Sequence, residues 1–146
     1  MQVKILFDKE RIDKRHSIGW GFSCLINEKI LFDTGEQASF LLHNLSAMGI
    51  DKSRIEAVVI SHDHWDHTGG LWGLLSNSPG LKVYACPSFS RTFKDKVAEF
   101  KGTLIECDRL IQITDDIYCT GEIVGEYKGQ KISEQAIIVR DRKSVV

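Results

Sequence analysis

Paired cysteines and long hydrophobic runs are both missing from this sequence. Its cysteines are scattered and form no CxxC pair; they are Cys24, Cys86, Cys107 and Cys119. No apolar run approaches the ~20 residues that a membrane span needs, and the start, Met1–Lys4, is typical of a strand rather than of a signal peptide. We therefore expect a cytoplasmic protein in a reducing compartment, with no membrane contact.

An excess of either charge is also missing. The chain has 19 basic and 20 acidic residues and a formal net charge of −1. This balance argues against a nucleic-acid partner gripped by phosphate neutralisation. With 146 residues, of which 42% are hydrophobic, the chain predicts a single domain over residues 1–146 with a sizeable core.

Histidine is missing from the second half of the chain, where none follows His67. Three of the five histidines lie in one segment, Ser61–Gly70. The apolar, β-branched run Ala57–Ile60 directly before it predicts a buried strand, and Leu71–Leu75 after it predicts a helix. In α/β proteins, polar side chains at the carboxyl end of a strand are placed where sites form.

The spacing within this segment favours a metal site. Residues two apart in an extended chain point to the same side, so His62 and His64 can hold one divalent ion. As the chain turns into the helix, Asp66 and His67 can face a second ion, and hydrolytic dimetal sites place their ions ~3.5–4 Å apart. Mixed imidazole and carboxylate donors favour zinc, iron, manganese or cobalt over calcium or magnesium. The alternative is a polar loop with histidines by chance, but the motif stands in its required context after a strand.

The pattern His62-x-His64-x-Asp66-His67 resembles the signature of the metallo-β-lactamase superfamily. The likeness extends to further segments, namely Gly21–Ser23, Ile30–Gly35, Gly49–Asp51, Tyr118–Glu122 and Glu134–Ala136. Together they resemble the branch named after dihydropterin ribofuranosylaminobenzene phosphate synthase, over nearly the whole chain. This resemblance implies an αββα sandwich of two similar αβ halves, with the metals in the cleft between them.

The expected fold class is accordingly α/β (α+β): a half or truncated αββα sandwich, with a mixed sheet and helices on one face. We expect strands at Val3–Asp8, Gly21–Asn27, Lys29–Asp33, Ala57–Ile60, Leu81–Ala85, Thr103–Cys107, Leu110–Thr114, Ile117–Thr120 and Gln135–Arg140. A short turn at Asn27-Glu28 joins the second and third of these strands. We expect helices at Glu36–Met48 and Ser88–Phe100, and a loop at Lys128–Lys131. The first helix has an apolar stripe at Leu41, Leu45 and Met48, with His43 off that stripe.

The resemblance also assigns a role to Asp33, because an Asp-x-Gly loop lies under the metal site in this superfamily. Asp33 is expected to support the ligand shell by accepting an imidazole N–H from a motif histidine. A ligand histidine needs one tautomer fixed so that its other nitrogen can bind metal. A helix N-cap at Asp33 or Thr34 is a compatible alternative.

The motif provides only two donors for each ion, whereas a catalytic zinc usually has three protein ligands and a water. Family members supply the rest from later segments, and in this branch a Gly-Cys-Ser-His-type turn follows a strand like 137–146. The sequence ends at Ser144–Val146, where such a turn would begin, so we expect the C-terminal part of the full fold to be missing. Truncation, completion by a partner chain or second copy, and loss of catalysis remain open. The acids that could replace missing ligands are Asp108, Asp115, Asp116 and Glu134.

The function implied by the resemblance is that of a metal-dependent hydrolase. Metal-bound hydroxide would attack an ester, phosphoester or similar bond of a small anionic substrate, with Asp66 also orienting the water. The cofactors would be two divalent metal ions, zinc first, with iron or manganese as alternatives. A second hypothesis is a truncated, catalytically incompetent metal-binding or interaction domain, completed only by a partner chain. A third is iron–oxygen redox chemistry, for which the sequence shows no partner flavin domain.

The remaining expectations concern surfaces. A half-sandwich would leave one sheet face uncovered, so we expect a homo-oligomer or a partner chain that completes the fold. The charged run Lys9–His16 is either a solvated loop or a flap over the site. The basic residues Arg91, Lys94 and Lys96 are either a solvated helix face or a contact for an anion. Cys86 is either a buried apolar group or faces the site.

Overall fold

A computed structural model of the chain describes residues 1–11 and 13–141. Its strands are β1 Val3–Phe7, β2 Ser23–Ile26, β3 Ile30–Phe32, β4 Ala57–Val59, β5 Lys82–Ala85, β6 Thr103–Glu106, β7 Ile111–Thr114, β8 Ile117–Cys119, β9 Ile123–Tyr127, β10 Gln130–Glu134 and β11 Ile137–Val139. Its helices are α1 Ala38–Ala47, α2 Trp65–Thr68, α3 Leu71–Asn77 and α4 Arg91–Glu99, with a 3₁₀ turn at Lys52–Arg54.

The largest layer is a mixed six-stranded sheet with the order β1-β2-β3-β4-β5-β6. The β2–β3 hairpin turns at Asn27 and Glu28, whose φ values of 50° and 60° are those of a type I′ turn, and the N–H of Lys29 donates to the carbonyl of Ile26 at 3.1 Å. From β3 to β6 the neighbouring strands are parallel, and helices make the connections that parallel strands need. The carboxyl ends of β3, β4 and β5 therefore meet at one edge, where the motif segment begins.

Helices cover one face of this sheet. Leu41 and Leu45 of α1 are buried against sheet residues such as Leu31 and Val58, in a cluster that also includes Val97 of α4. The stripe expected on α1 is confirmed, and His43 beside it is exposed. The helix expected over Ser88–Phe100 is shorter, because Ser90 caps it by accepting a hydrogen bond from the N–H of Phe93 at 3.1 Å.

A second sheet packs against the other face, so the expectation of an uncovered sheet face was wrong. Strands β7, β8 and β11 form a three-stranded antiparallel sheet. Its residues Ile117 and Cys119 pack with Ile26, Ile30 and Val59 in a second buried cluster. The chain after Cys107 folds back over the sheet, so in the described residues most of the face expected to be uncovered is packed, although Val3 and Ile5 of β1 are exposed. The expected homo-oligomer stays a prediction. The fold class, a mixed sheet with helices on one face, is confirmed.

The prediction of a loop at Lys128–Lys131 was also wrong. Gln130 and Lys131 begin β10, which pairs with β9 in a separate hairpin. Lys128 and Gly129 form its turn with φ values of 50° and 76°. Every residue of β9 is exposed. A strand with no buried face does not need alternating apolar and polar residues, so periodicity did not indicate it.

The last expected strand is shorter than predicted, since β11 covers Ile137–Val139. Residues 142–146, with the terminal run Ser144–Val146, lie outside the described residues. In the part of the chain that the structure describes, no helix has the length and apolarity to cross a membrane.

Candidate metal centre

The motif residues are positioned by the ends of two neighbouring strands. Asp33 follows β3, and Ser61 follows Ile60 at the end of β4. His64 has extended backbone and precedes α2, which then carries Asp66 and His67. Thr68 closes this short helix, because its Oγ1 donates to the carbonyl of His64 at 3.1 Å.

Asp33 is the hub of the hydrogen bonds at this edge. Its side chain is 2% exposed, and its Oδ1 accepts from the backbone N–H of Ser61 at 2.7 Å. Its Oδ2 lies 2.7 Å from Ser61 Oγ and 2.7 Å from His67 Nδ1. The contact expected between Asp33 and a motif histidine is therefore present, and its role in supporting a metal ligand stays a prediction. The N-cap of α1 is Gln37, so the helix-cap alternative for Asp33 or Thr34 was wrong.

The four predicted ligands lie close together. The ring centroids of His62 and His67 are 4.0 Å apart, and those of His62 and His64 are 4.6 Å apart. Asp66 Oδ2 lies 3.7 Å from His67 Nε2. Burial lowers the pKa of His62, and the neighbouring imidazoles lower it further. Burial also disfavours a charged His67, but the hydrogen bond and charge of Asp33 raise the pKa of His67 above its ordinary value.

Two glycines allow the motif segment to pack against the loop after β3. A Cβ on Gly69 would lie 1.8 Å from the carbonyl oxygen of Glu36, and one on Gly70 would lie 2.2 Å from that of Thr34. Thr34 also donates from its backbone N–H and from its Oγ1 to the carbonyl of His67, at 2.9 and 2.7 Å. Because neither position carries a side chain, the loop after Asp33 can lie this close to the histidine segment.

The donor set fits a borderline metal such as zinc in type but is short in number. Imidazoles and a carboxylate are the ligands that zinc takes. Among residues 1–11 and 13–141, however, no three His, Cys, Asp or Glu side chains have an arrangement that could hold an ion. Asp33 already accepts hydrogen bonds from three donors. The side chains left to bind metal are therefore the two pairs of the motif, His62 with His64 and Asp66 with His67.

The acids considered as replacement ligands do not lie together. Glu134 is near enough to the site for its negative charge to favour the protonated imidazoles, an effect that acts to raise the pKa of both His62 and His67. Asp115 and Asp116 line a different cavity, together with Lys29. Asp108 is an exposed residue after β6.

A cavity of about 520 Å³ opens beside the motif. Three segments line it: the motif loop, the loop before α4 and the β9–β10 hairpin. Its lining residues are His62, Asp63, His64, Ser88, Phe89, Ser90, Glu122, Val124, Lys131, Ile132 and Ser133. Cys86 is fully buried instead of facing this cavity.

The basic residues of α4 do not line this cavity. Arg91 pairs with Asp95 at 2.8 Å, Lys94 pairs with Glu106, and Lys96 lies 4.3 Å from the Trp72 ring. The solvated-face interpretation of these residues is therefore favoured. The charged run after β1 lines another cavity, of about 380 Å³, which shares no lining residue with the motif.

Sequence reasoning missed Gln135 as a structural partner of the site. Its side chain is 3% exposed and donates to the carbonyls of Ile60 and Tyr84 at 2.7 and 2.9 Å. Its backbone N–H donates to the carbonyl of Ser61 at 2.8 Å. The only sequence signal was its place in the segment Glu134–Ala136, because periodicity does not distinguish a buried glutamine from an exposed one.

Comparison with known proteins establishes the family. A family model described as the metallo-beta-lactamase superfamily matches residues 23–142. The chain belongs to this superfamily, as its histidine motif suggested.

Two relatives from Methanocaldococcus jannaschii extend the comparison. The chain is 27% identical over 121 residues to a 7,8-dihydropterin-6-methyl-4-(beta-D-ribofuranosyl)-aminobenzene-5'-phosphate synthase, covering 70% of this chain and 41% of that protein. It is 37% identical over 162 aligned residues to an uncharacterized protein, covering 98% of this chain and 60% of that protein. The chain thus spans about half the length of these curated relatives.

A solved structure shares the fold. The crystal structure of a metal-dependent hydrolase of the beta-lactamase superfamily superposes with a TM-score of 0.72 at 23% identity. The match covers 96% of this chain and 61% of that one. The architecture described above is therefore a large part of the metallo-beta-lactamase fold.

Proposed function

We propose that this chain carries part of the dimetal site of a metal-dependent hydrolase. His62 and His64 would hold one divalent ion, and Asp66 and His67 the other, with zinc as the expected metal. The remaining donors would come from outside the described residues. The observation that carries the proposal is the meeting of three imidazoles and Asp66 at a strand edge, with the Nδ1 of His67 held by Asp33.

The chemistry expected is hydrolysis of an ester, phosphoester or similar bond. A divalent ion held by these residues would supply an activated water, because coordination lowers the pKa of water from 15.7 to about 7. Asp33 holds His67 so that its Nε2 is left for binding, and Asp66 lies beside that nitrogen, placed to orient a water. This arrangement requires no serine or cysteine nucleophile.

The cavity next to the motif is lined by two carboxylates and one lysine. Its two carboxylates are both engaged by donors: Asp63 accepts from the backbone N–H of Ser90 at 2.9 Å, and Glu122 accepts from Ser88. The hydrogen bond from Ser88 lowers the pKa of Glu122, so this carboxylate is ionised at neutral pH. Among the described lining residues, Lys131 contributes the only cationic side chain. We propose that its ammonium group contacts the anionic part of the substrate.

A second candidate is a metal-binding domain without turnover of its own. It is favoured by the absence, among the described residues, of three donors that could hold one ion. Such a domain would bind metal weakly and act only with a partner chain or second copy that completes the site.

Turnover by the zinc-loaded or manganese-loaded 146-residue chain distinguishes the two. The assay uses bis(p-nitrophenyl) phosphate and p-nitrophenyl esters. Turnover that His64→Ala abolishes and His43→Ala leaves unchanged supports the hydrolase, because His43 is exposed on α1 away from the motif. Metal binding without turnover favours the second candidate, and neither binding nor turnover contradicts both.

A further inference from the structure

Ser61 is the residue between the buried Asp33 and the first histidine of the motif. Its Oγ lies 2.7 Å from Asp33 Oδ2 and 2.9 Å from His62 Nδ1. Its distance to His67 Nδ1 is longer, at 3.5 Å. One hydroxyl group therefore contacts a carboxylate and an imidazole at the same time.

The number of protons fixes the direction of these hydrogen bonds. A serine hydroxyl has one proton to donate, and an ionised carboxylate can only accept. Two oxygen atoms 2.7 Å apart need a proton between them, so the hydroxyl proton of Ser61 points to Asp33. The oxygen of Ser61 then has only lone pairs to offer His62, so its partner must be a protonated Nδ1.

His67 reaches the same state by a direct contact. Its Nδ1 is 2.7 Å from Asp33 Oδ2, and this proton also goes to the carboxylate. One buried carboxylate thus sets the tautomer of two histidines, directly for His67 and through Ser61 for His62. In both neutral imidazoles the lone pair is left on Nε2, the nitrogen then free to bind a metal.

We infer that Ser61 is a positioning residue that holds His62 in its Nδ1–H tautomer. The tautomer itself follows from the contacts of Asp33, Ser61 and His62. Its consequence for metal binding rests on the proposed function.

The direct test is the tautomeric state of His62 in metal-free protein labelled with ¹⁵N-histidine. Long-range ¹H–¹⁵N correlation spectra distinguish a protonated from an unprotonated ring nitrogen. They are recorded about two pH units above the ordinary imidazole pKa of about 6.5. We expect Nδ1–H for His62 in the wild-type protein, loss of that state in Ser61→Ala, and its return in Ser61→Thr, which restores a hydroxyl. Ser53→Ala is the control, because Ser53 is exposed and its hydroxyl donates to Asp51 in the 3₁₀ turn, in a segment separate from the motif.

A wild-type His62 with its proton on Nε2 overturns the inference, as does an unchanged His62 in Ser61→Ala. If Ser61→Ala is unfolded by circular dichroism, the wild-type and Ser61→Thr spectra still decide the tautomer. Zinc titration is the second readout: Ser61→Ala is expected to weaken binding about 10–100-fold, and Ser61→Thr to recover it. The expected tautomer in a wild-type protein that binds no zinc contradicts the proposed function and leaves the role of Ser61 intact.

Discussion

Asp33 Oδ2 lies 2.7 Å from His67 Nδ1 across the sheet edge, although 34 residues separate the two in sequence. The carboxylate follows β3 and the imidazole belongs to α2, so this contact joins the hairpin half of the sheet to the motif. Asp33 is nearly fully buried and has φ +54°, and its three hydrogen bonds hold it there.

Asp33→Asn is the first test of this relationship. The amide keeps the shape but loses the charge, and its NH₂ group would face a donor on Ser61 or His67. We expect the free energy of unfolding to fall by about 2–3 kcal/mol and zinc affinity to fall about 10–100-fold. Urea unfolding and zinc titration measure the two effects. Asp51→Asn, at an exposed cap of the 3₁₀ turn, is the matched control and should leave zinc affinity unchanged. Equal zinc affinity in Asp33→Asn and Asp51→Asn would show that Asp33 does not support metal binding.

Gly69→Ala tests the close packing of the motif segment. The new Cβ would lie 1.8 Å from the backbone oxygen of Glu36, so the two loops must separate. We expect a loss of about 3 kcal/mol in unfolding free energy. In Gly125→Ala the nearest atom is 3.7 Å away, and the expected change is within about 0.5 kcal/mol. Similar melting curves for the two variants would show that the loops are not held by this contact.

Gln135→Met tests the buried link between the strand ends. The thioether fills the space but cannot donate to the carbonyls of Ile60 and Tyr84. Leaving buried acceptors without these donors should cost about 2–4 kcal/mol, measured as a shift of the urea midpoint at constant slope. Gln130→Met, in an exposed position of β10, is expected to change little. A Gln135→Met protein as stable as wild type would contradict the link.

Two buried cysteines, Cys24 and Cys86, predict a loss of stability at alkaline pH. Burial and the charge of Asp33 raise the pKa of Cys24 to about 11, and burial raises the pKa of Cys86 to about 12. An unfolded thiol titrates near about 8.5, so the folded state binds more protons between these values. The stabilisation is complete below about pH 8.5 and is lost as the pH rises toward 11 and 12.

Urea unfolding at several pH values measures this effect. Wild-type stability should decrease above about pH 8.5, and Cys24→Ala combined with Cys86→Ala should decrease less steeply. Both thiols should resist dithionitrobenzoate in the native protein and react on unfolding. Rapid labelling of the native thiols would contradict their burial.

Lys131→Ala tests the proposed contact with an anionic substrate. In a protein with measurable turnover, KM for an ester that carries a remote phosphate or carboxylate should rise roughly tenfold, the loss of one charge-assisted hydrogen bond. KM for a neutral ester should not change. Lys128→Ala removes the same charge from the hairpin turn, where the ammonium lies 5.2 Å from the Tyr127 ring, and should affect neither. Equal effects of the two variants would point to net charge instead of a contact.

The sequence predicted the parts of the fold that depend on local patterns. The strand before the motif, the Asn27-Glu28 turn and the helix stripe at Leu41 and Leu45 all follow from periodicity and turn chemistry. The grouping of His62, His64, Asp66 and His67 followed from the motif. Each of these features is determined by residues that are close together in the sequence.

The features that escaped prediction depend on contacts between distant segments. The three-stranded sheet covers the open face because Ile117 and Cys119 meet strands far earlier in the chain. The link from Gln135 to Ile60 spans 75 residues. The β9–β10 hairpin escaped because both its faces are largely exposed, so its sequence carries no burial pattern.

The central claim is that the residues between positions 62 and 67 bind metal. It is tested most directly by zinc titration of the purified, metal-free 146-residue chain by calorimetry, with His64→Ala and His43→Ala in parallel. The account predicts that wild type and His43→Ala bind zinc with the same affinity and that His64→Ala loses at least one binding event. Equal zinc binding by all three proteins, or none by wild type, would contradict it.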